Sequence, residues 1–127
     1  MISHAEENYL KAIFKISEKE AKAASTNAIA SEMQTTAASV TDMLKRLAEK
    51  NLIVYEKYRG VELSKEGNQV ATALIRKHRL WEVFLVEKLG FAWDEVHDMA
   101  EQLEHVQGND LVGRLDTFLG HPKFDPH

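Results

Sequence analysis

Apolar side chains recur at three- and four-residue spacing between Glu6 and Glu18, where Tyr9, Leu10, Ile13, Phe14 and Ile16 form the stripe of an amphipathic helix. A polar stretch near Glu20 to Ala24 ends it. Ser25 or Thr26 can cap a short helix through Met33, and after Gln34, Thr35 and Thr36 a second helix is predicted from about Ala37 to Lys50. Two short helices joined by a three- or four-residue turn make a helix-turn-helix. In the second helix Val40, Met43, Leu44 and Leu47 face inward, which leaves Ala38, Ser39, Thr41, Asp42, Lys45 and Arg46 outside. Leu52 to Tyr55 is then β-rich, Glu56 to Gly60 is a polar turn and Val61 to Leu63 can return as the paired strand. A hairpin directly behind a helix-turn-helix, with Lys57 and Arg59 at its tip, reads as a wing. Basic side chains there can reach phosphate.

The remaining pattern is helical. Ser64 caps a long helix on which Gly67 is an early weak point, worth about 1 kcal/mol relative to Ala, and Leu74, His78, Trp81 and Leu85 share one face. Leu89, Gly90 and Phe91 break it. A helix from Ala92 or Trp93 to Gln107 follows; Gly108 ends that one and Asn109 caps the last, Asp110 to Leu119. The tail from His121 to His127 holds both prolines and reads as extended. The expected fold is mainly α: a winged helix-turn-helix DNA-binding domain over residues 1–64, then an all-helical domain over 65–127. Trp81, Phe84, Phe91 and Trp93, with Leu80, Leu85 and Leu89, give the middle of the chain more apolar surface than one winged helix can cover, and a homodimer interface is its natural use.

Composition narrows the chemistry. A length of 127 residues, 44% hydrophobic, suits one core or two small subdomains. No run of eighteen apolar residues occurs, and Met1 to Tyr9 carries His and Glu where a signal peptide needs an apolar core, so a cytoplasmic protein without a membrane partner is expected. The chain contains no cysteine, so any metal has to be held by imidazole, carboxylate, carbonyl or amide oxygen, which favours Mn, Fe, Co, Ni or Zn. The net charge of -4 argues by itself against a nucleic-acid partner, but the charge is segregated. Residues 37–65 hold six bases, Lys45, Arg46, Lys50, Lys57, Arg59 and Lys65, against four acids, whereas residues 92–119 carry Asp94, Glu95, Asp98, Glu101, Glu104, Asp110 and Asp116 against Arg114 alone. A DNA-binding module joined to a cation-binding one fits that division; a merely dipolar surface is the blander alternative.

The candidate chemistry lies in the acidic half. His97, Glu101, Glu104 and His105 stand at spacings of three and four, which on a helix brings carboxylates and imidazoles to one face. His78 and Glu82 form a second pair at i, i+4. Glu and His on a helix are more often solvated surface, and His78 alone would more often be a packed histidine. Glu82 on the apolar flank changes that balance, because a carboxylate there is costly unless paired or bound to an ion. No Gly-rich phosphate loop, nucleophile motif or pair of catalytic acids accompanies these residues, so an enzyme is not expected.

These elements, with Tyr9 and its neighbours, the run from Val40 to Arg59 that ends in Tyr-Glu-Lys-Tyr-Arg-Gly, the pair His78 and Glu82, and His97-Asp98 followed by Glu101, Glu104 and His105, resemble the diphtheria-toxin-repressor-like family of metal-dependent transcriptional repressors over nearly the whole chain. The resemblance implies repression of metal-ion homeostasis genes by a homodimer that binds double-stranded operator DNA when Mn(II) or Fe(II) is present. It implies one metal site from His78, Glu101, Glu104, His105 and a residue of the first helix, and a neighbouring one that draws on Glu82 and His97. On the first helix Asn8 stands where the manganese branch has Asp and the iron branch Met, and Lys11 stands where the manganese branch supplies a further carboxylate. Glu101 replaces a sulfur ligand of the iron branch, a change toward harder ions, so Mn²⁺ is favoured, Fe²⁺ is next, and Zn²⁺ or Co²⁺ can bind in vitro. Longer members carry an SH3-like domain beyond the segment that 121–127 resembles.

On this reading Thr36, Ala38, Ser39 and Thr41 supply base-facing or nearby backbone contacts, and Lys45, Arg46, Lys57 and Arg59 supply phosphate contacts. No small organic substrate is expected. Two rivals stay open: a winged-helix repressor controlled by an organic ligand, with the Glu and His residues as ordinary ion pairs, and a metal-dependent hydrolase, which needs an open coordination position and a general base in a cleft.

Overall fold

Ser3 starts the first helix with a reciprocal cap: its hydroxyl accepts from the Glu6 backbone N–H at 3.1 Å, and its own N–H donates to the Glu6 carboxylate at 2.8 Å. The helix, α1, therefore runs His4–Glu20, two residues beyond the expected Glu6 to Glu18 at each end. The computed structural model describes residues 2–56 and 59–122. Chain contacts divide it into two compact units, Met1–Thr72 and Ala73–His127.

In the first unit Ser25 caps α2, Thr26–Met33, by accepting from the Ala28 N–H at 3.0 Å. Gln34 then takes a left-handed conformation, φ 54°, and Thr36 caps α3, Ala37–Glu49. These two helices and their turn are the helix-turn-helix. Strand β1, Ile53–Glu56, pairs antiparallel with β2, Gly60–Leu63, in the register Ile53 to Leu63 and Tyr55 to Val61. The polar loop before α2 adds something absent from the pattern: Ala24 and Val61 exchange two backbone hydrogen bonds of 2.9 Å, so a third short segment edges the wing. Gly60, at φ 125°, permits it, since a Cβ there would stand 2.1 Å from the Ala24 carbonyl oxygen. Leu10, Ile13, Ile29, Val40, Leu44, Leu47 and Val61 close the core of this unit.

A single helix, α4, spans Lys65–Leu89. Ser64 caps it, accepting from the Gly67 N–H at 3.0 Å while donating to the Asn51 carbonyl at 2.7 Å. Gly67 itself is a packing requirement as much as a weak point. A Cβ there would lie 2.0 Å from the Leu52 carbonyl oxygen. Gly90, at φ 74°, ends α4.

In the second unit α5 covers Trp93–Leu103 and α6 covers Asn109–Phe118. The fifth helix stops four residues short of Gln107. Glu104 is its C-cap, and the Val106 N–H turns back to the Leu103 carbonyl at 3.0 Å. This early stop lets Glu104 and His105, consecutive in sequence, both be buried; side chains about 100° apart on a continuing helix seldom share one buried environment. Two apolar clusters hold the unit, one around Leu80, Val112 and Leu115, the other around Leu85, Val96 and Ala100, with Trp81 packed against both. The architecture is a winged helix followed by an all-helical region. Among the described residues no helix is long and apolar enough to cross a membrane.

Candidate metal centre and nucleic-acid interface

The i, i+4 spacing on α4 places His78 and Glu82 one turn apart, with His78 Nε2 3.2 Å from Glu82 Oε2. From α5, His97 Nδ1 lies 4.0 Å from the same oxygen. One donor atom of each of these three residues falls within 4.8 Å of the other two. The two imidazoles meet edge to face with centroids 4.9 Å apart. Two donors on one first-row ion at about 2.1 Å stand roughly 3.0 to 3.4 Å from each other. The His78–Glu82 pair is thus at binding separation, and His97, whose side chain is 53% exposed, has a short distance to close.

On the other side of the His78 ring, Nδ1 lies 2.7 Å from Glu104 Oε1, and the second oxygen of that carboxylate is 3.9 Å from His105 Nε2. Glu82 and Glu104 are both buried. An ionised carboxylate only accepts, so a ring nitrogen that faces one can either donate to it or join it on a shared cation. This chain of groups fits a divalent ion: imidazole nitrogen and carboxylate oxygen, without sulfur, suit a borderline or hard metal, and positive charge offsets the burial of two acids.

The geometry groups the sequence-chosen residues in its own way. His78, expected beside Glu101, Glu104 and His105, converges with Glu82 and His97 and touches Glu104 through its other nitrogen. Glu101 lies out on the exposed face of α5, 3.7 Å from His97 Nε2. Asn8 stands half-buried on α1, in the other unit, on the helix that also buries Glu7 and Lys11. Every member of the converging trio was already legible from spacing; what spacing could not give was the partition, since helix phase says nothing about which ring nitrogen faces which carboxylate.

On the helix-turn-helix, Thr36, Ala38, Ser39, Thr41, Lys45 and Arg46 are all exposed along α3, opposite the buried Val40, Met43, Leu44 and Leu47. Thr36 Oγ1 accepts from the Ser39 N–H at 3.1 Å and donates to Ser39 Oγ at 3.0 Å, while Thr41 Oγ1 donates to the Ala37 carbonyl at 3.0 Å. Thr41 therefore presents its methyl group and its acceptor lone pairs outward. Arg59 is exposed at the wing. Lys57 lies outside the described residues.

Residues 1–61 match the iron-dependent repressor N-terminal DNA-binding domain, and residues 64–127 match the iron-dependent repressor metal-binding and dimerisation domain. The chain belongs to the iron-dependent repressor family. This repressor-family chain is 35% identical over 113 residues to the diphtheria toxin repressor of Corynebacterium jeikeium, covering 89% of itself and 47% of that relative. It is 30% identical over 119 residues to the HTH-type transcriptional regulator MntR of Oceanobacillus iheyensis, covering 94% of itself and 80% of the relative. The solved structure of the manganese regulator SloR superposes with a TM-score of 0.84 at 43% identity over 96% of the repressor-family chain and 56% of SloR. The chain thus spans about half the length of several proteins it matches. All six histidine and carboxylate candidates fall in the region matched by the metal-binding domain, and all the α3 and wing candidates fall in the region matched by the DNA-binding domain.

Proposed function

We propose that this chain is a metal-dependent, DNA-binding transcriptional repressor of metal-ion homeostasis, acting in the cytoplasm as a homodimer on double-stranded operator DNA. The observation that carries the reading is the convergence of His78, Glu82 and His97 donor atoms in the same chain as a winged helix-turn-helix. Residues 1–64 are assigned the DNA-binding role, and 65–127 metal binding and dimerisation.

His78, Glu82 and His97 hold the cation in this reading, Glu104 fixes the His78 ring from behind, and His105 and Glu101 complete the surrounding donor set. Asn8 enters from the family resemblance alone. When bound, the ion supplies a positive charge that favours the arrangement in which α4 and α5 side chains meet. Mn(II) is the preferred ion and Fe(II) the next, in keeping with the names of the manganese and iron regulators the chain is similar to.

Exposed apolar groups on the second unit, Leu89, Trp93, Met99, Leu111 and Phe118 among them, suit the dimer contact. A dimer sets two α3 helices at a fixed spacing, and successive major grooves on one face of B-DNA recur at about 34 Å. Thr36, Ala38, Ser39 and Thr41 face the bases or the adjoining backbone; Lys45, Arg46, Lys57 and Arg59 face phosphate.

Selection from random DNA duplexes, followed by a binding titration of the selected site with Mn²⁺, Fe²⁺, Zn²⁺ and Co²⁺, tests the reading. Binding to the selected site should rise with Mn²⁺ or anaerobic Fe²⁺ and fall on chelation. Site-specific binding that ignores every divalent ion would reject it.

A further inference from the structure

The outward face of α3 carries an acidic residue, Asp42, that neither the phosphate contacts nor the base-facing set accounts for. Val40, Met43, Leu44 and Leu47 fix the buried direction of this helix. At about 100° per residue, Asp42 points within roughly 30° of the opposite direction, on a line with Ala38 and Lys45, while Ser39, Thr41 and Arg46 flank that line. Asp42 is exposed, and no described residue pairs with it. The nearest cation candidates on its own helix do not quench it: Lys45 is exposed, and the Arg46 guanidinium lies on Met43 Sδ at 3.4 Å. Nothing on α3 holds Asp42 back from the groove.

A carboxylate aimed at DNA is repelled by phosphate, so its one favourable use is to accept from an amino group on a base edge. Resting on the reading of α3 as the recognition helix, we propose that Asp42 is a specificity-determining residue that selects cytosine through its N4 amino group. The order of groups across the major groove decides between the two amino-bearing bases. Adenine N6 stands between two acceptors, its own N7 and the O4 of the paired thymine, which repel a carboxylate from either side. Cytosine N4 has an acceptor on one side only, guanine O6, and the C5–H on the other, which leaves an open approach. Ala38, one turn earlier on the same line and exposed, lets the helix backbone come close enough for a side chain as short as aspartate.

The test is selection from random duplexes with Mn²⁺-loaded protein, wild type against Asp42→Ala and Asp42→Asn, each checked for unchanged circular dichroism. The wild type should enrich cytosine at one position of each half-site. Asp42→Ala should flatten that position, with a loss of about tenfold in discrimination, keep the preferences elsewhere, and bind non-specific DNA at least as well as before. Asp42→Asn should shift the same position toward adenine, the partner of a carboxamide. An Asp42→Ala profile identical to wild type, or a wild-type site without a cytosine position, overturns the assignment. Absence of sequence selection by the wild type itself would overturn the reading of α3 and the assignment together.

Discussion

The Nδ1 atom of His78 lies 2.7 Å from Oε1 of the fully buried Glu104, and this contact fixes the ring so that Nε2 faces Glu82. A carboxylate behind a ligating imidazole sets its tautomer and raises its basicity. Because the contact bridges α4 and the end of α5, it also ties the two elements that carry the candidate ligands.

Replacement of the two partners should therefore differ in degree. His78→Ala removes the nitrogen central to the trio and should abolish Mn²⁺ binding and metal-dependent DNA binding. Glu104→Gln keeps the shape, loses the charge, and should weaken Mn²⁺ binding by roughly 10- to 100-fold. Isothermal titration resolves the two. Equal and complete loss in both variants would make Glu104 a direct ligand instead.

Arg59 is the described basic residue of the wing, and a phosphate contact acts on all sequences alike. Arg59→Ala should weaken binding to specific and non-specific duplexes to a similar extent and lower the slope of log affinity against log salt by roughly one unit. A change confined to one base position, with the slope intact, would make the wing a base reader.

Much of this was legible in the sequence because helix phase and capping are local. Val40, Met43, Leu44 and Leu47 announced the buried side of α3, and the polar run Gln34, Thr35 and Thr36 announced where it begins, although the capping role of Thr36 came only with the structure. Ser3 and Glu6 form a capping box whose Ser-x-x-Glu spacing is visible in the chain, yet a helix start read from apolar phase alone falls on Glu6 itself. The Ala24–Val61 pairing is non-local: Val61 was marked as a strand residue but nothing marked Ala24 as its second partner, and the end of α5 at Leu103 depends on where Glu104 and His105 find burial. Spacing likewise names His78, Glu82 and His97, but which of them converge is a property of two helices packed together.

Gly67 illustrates a residue whose sequence reading and structural role differ in sign. Helix propensity alone makes Gly67→Ala stabilising by about 1 kcal/mol. A Cβ there would meet the Leu52 carbonyl oxygen at 2.0 Å, a backbone atom that cannot rotate away. Gly67→Ala should therefore destabilise the protein by roughly 1 to 3 kcal/mol, as other overpacked sites do. A raised melting temperature would show that the start of α4 can shift away from Leu52.

The last prediction concerns Glu6, a buried acid in the first turn of α1 that accepts from Lys50 Nζ at 2.8 Å, at the C-terminal end of α3. Burial pushes the Glu6 carboxyl up, but the Lys50 hydrogen bond, the bonds from Ser3 and the Lys50 charge together outweigh it and hold the group below its ordinary value of 4.5. A carboxyl lowered on folding contributes stability above its unfolded value and loses it as the pH falls through the folded one. Wild-type melting temperature should accordingly decline as the pH drops below about 4.5. Lys50→Met keeps the aliphatic stem but leaves Glu6 with less compensation. It should cost about 1 to 2 kcal/mol at neutral pH, the lower end being set by the solvent exposure of the ammonium group. Its acid-dependent decline should also be shallower than that of wild type, because less of the Glu6 shift remains to be lost. Glu6→Gln should flatten the same limb while keeping the helix, since an amide oxygen can still accept from the Ser3 N–H. Thermal unfolding followed by circular dichroism between about pH 3 and pH 7 compares the three proteins. Parallel acid limbs in all of them would mean that the Glu6–Lys50 pair contributes nothing to the pH dependence of this unit.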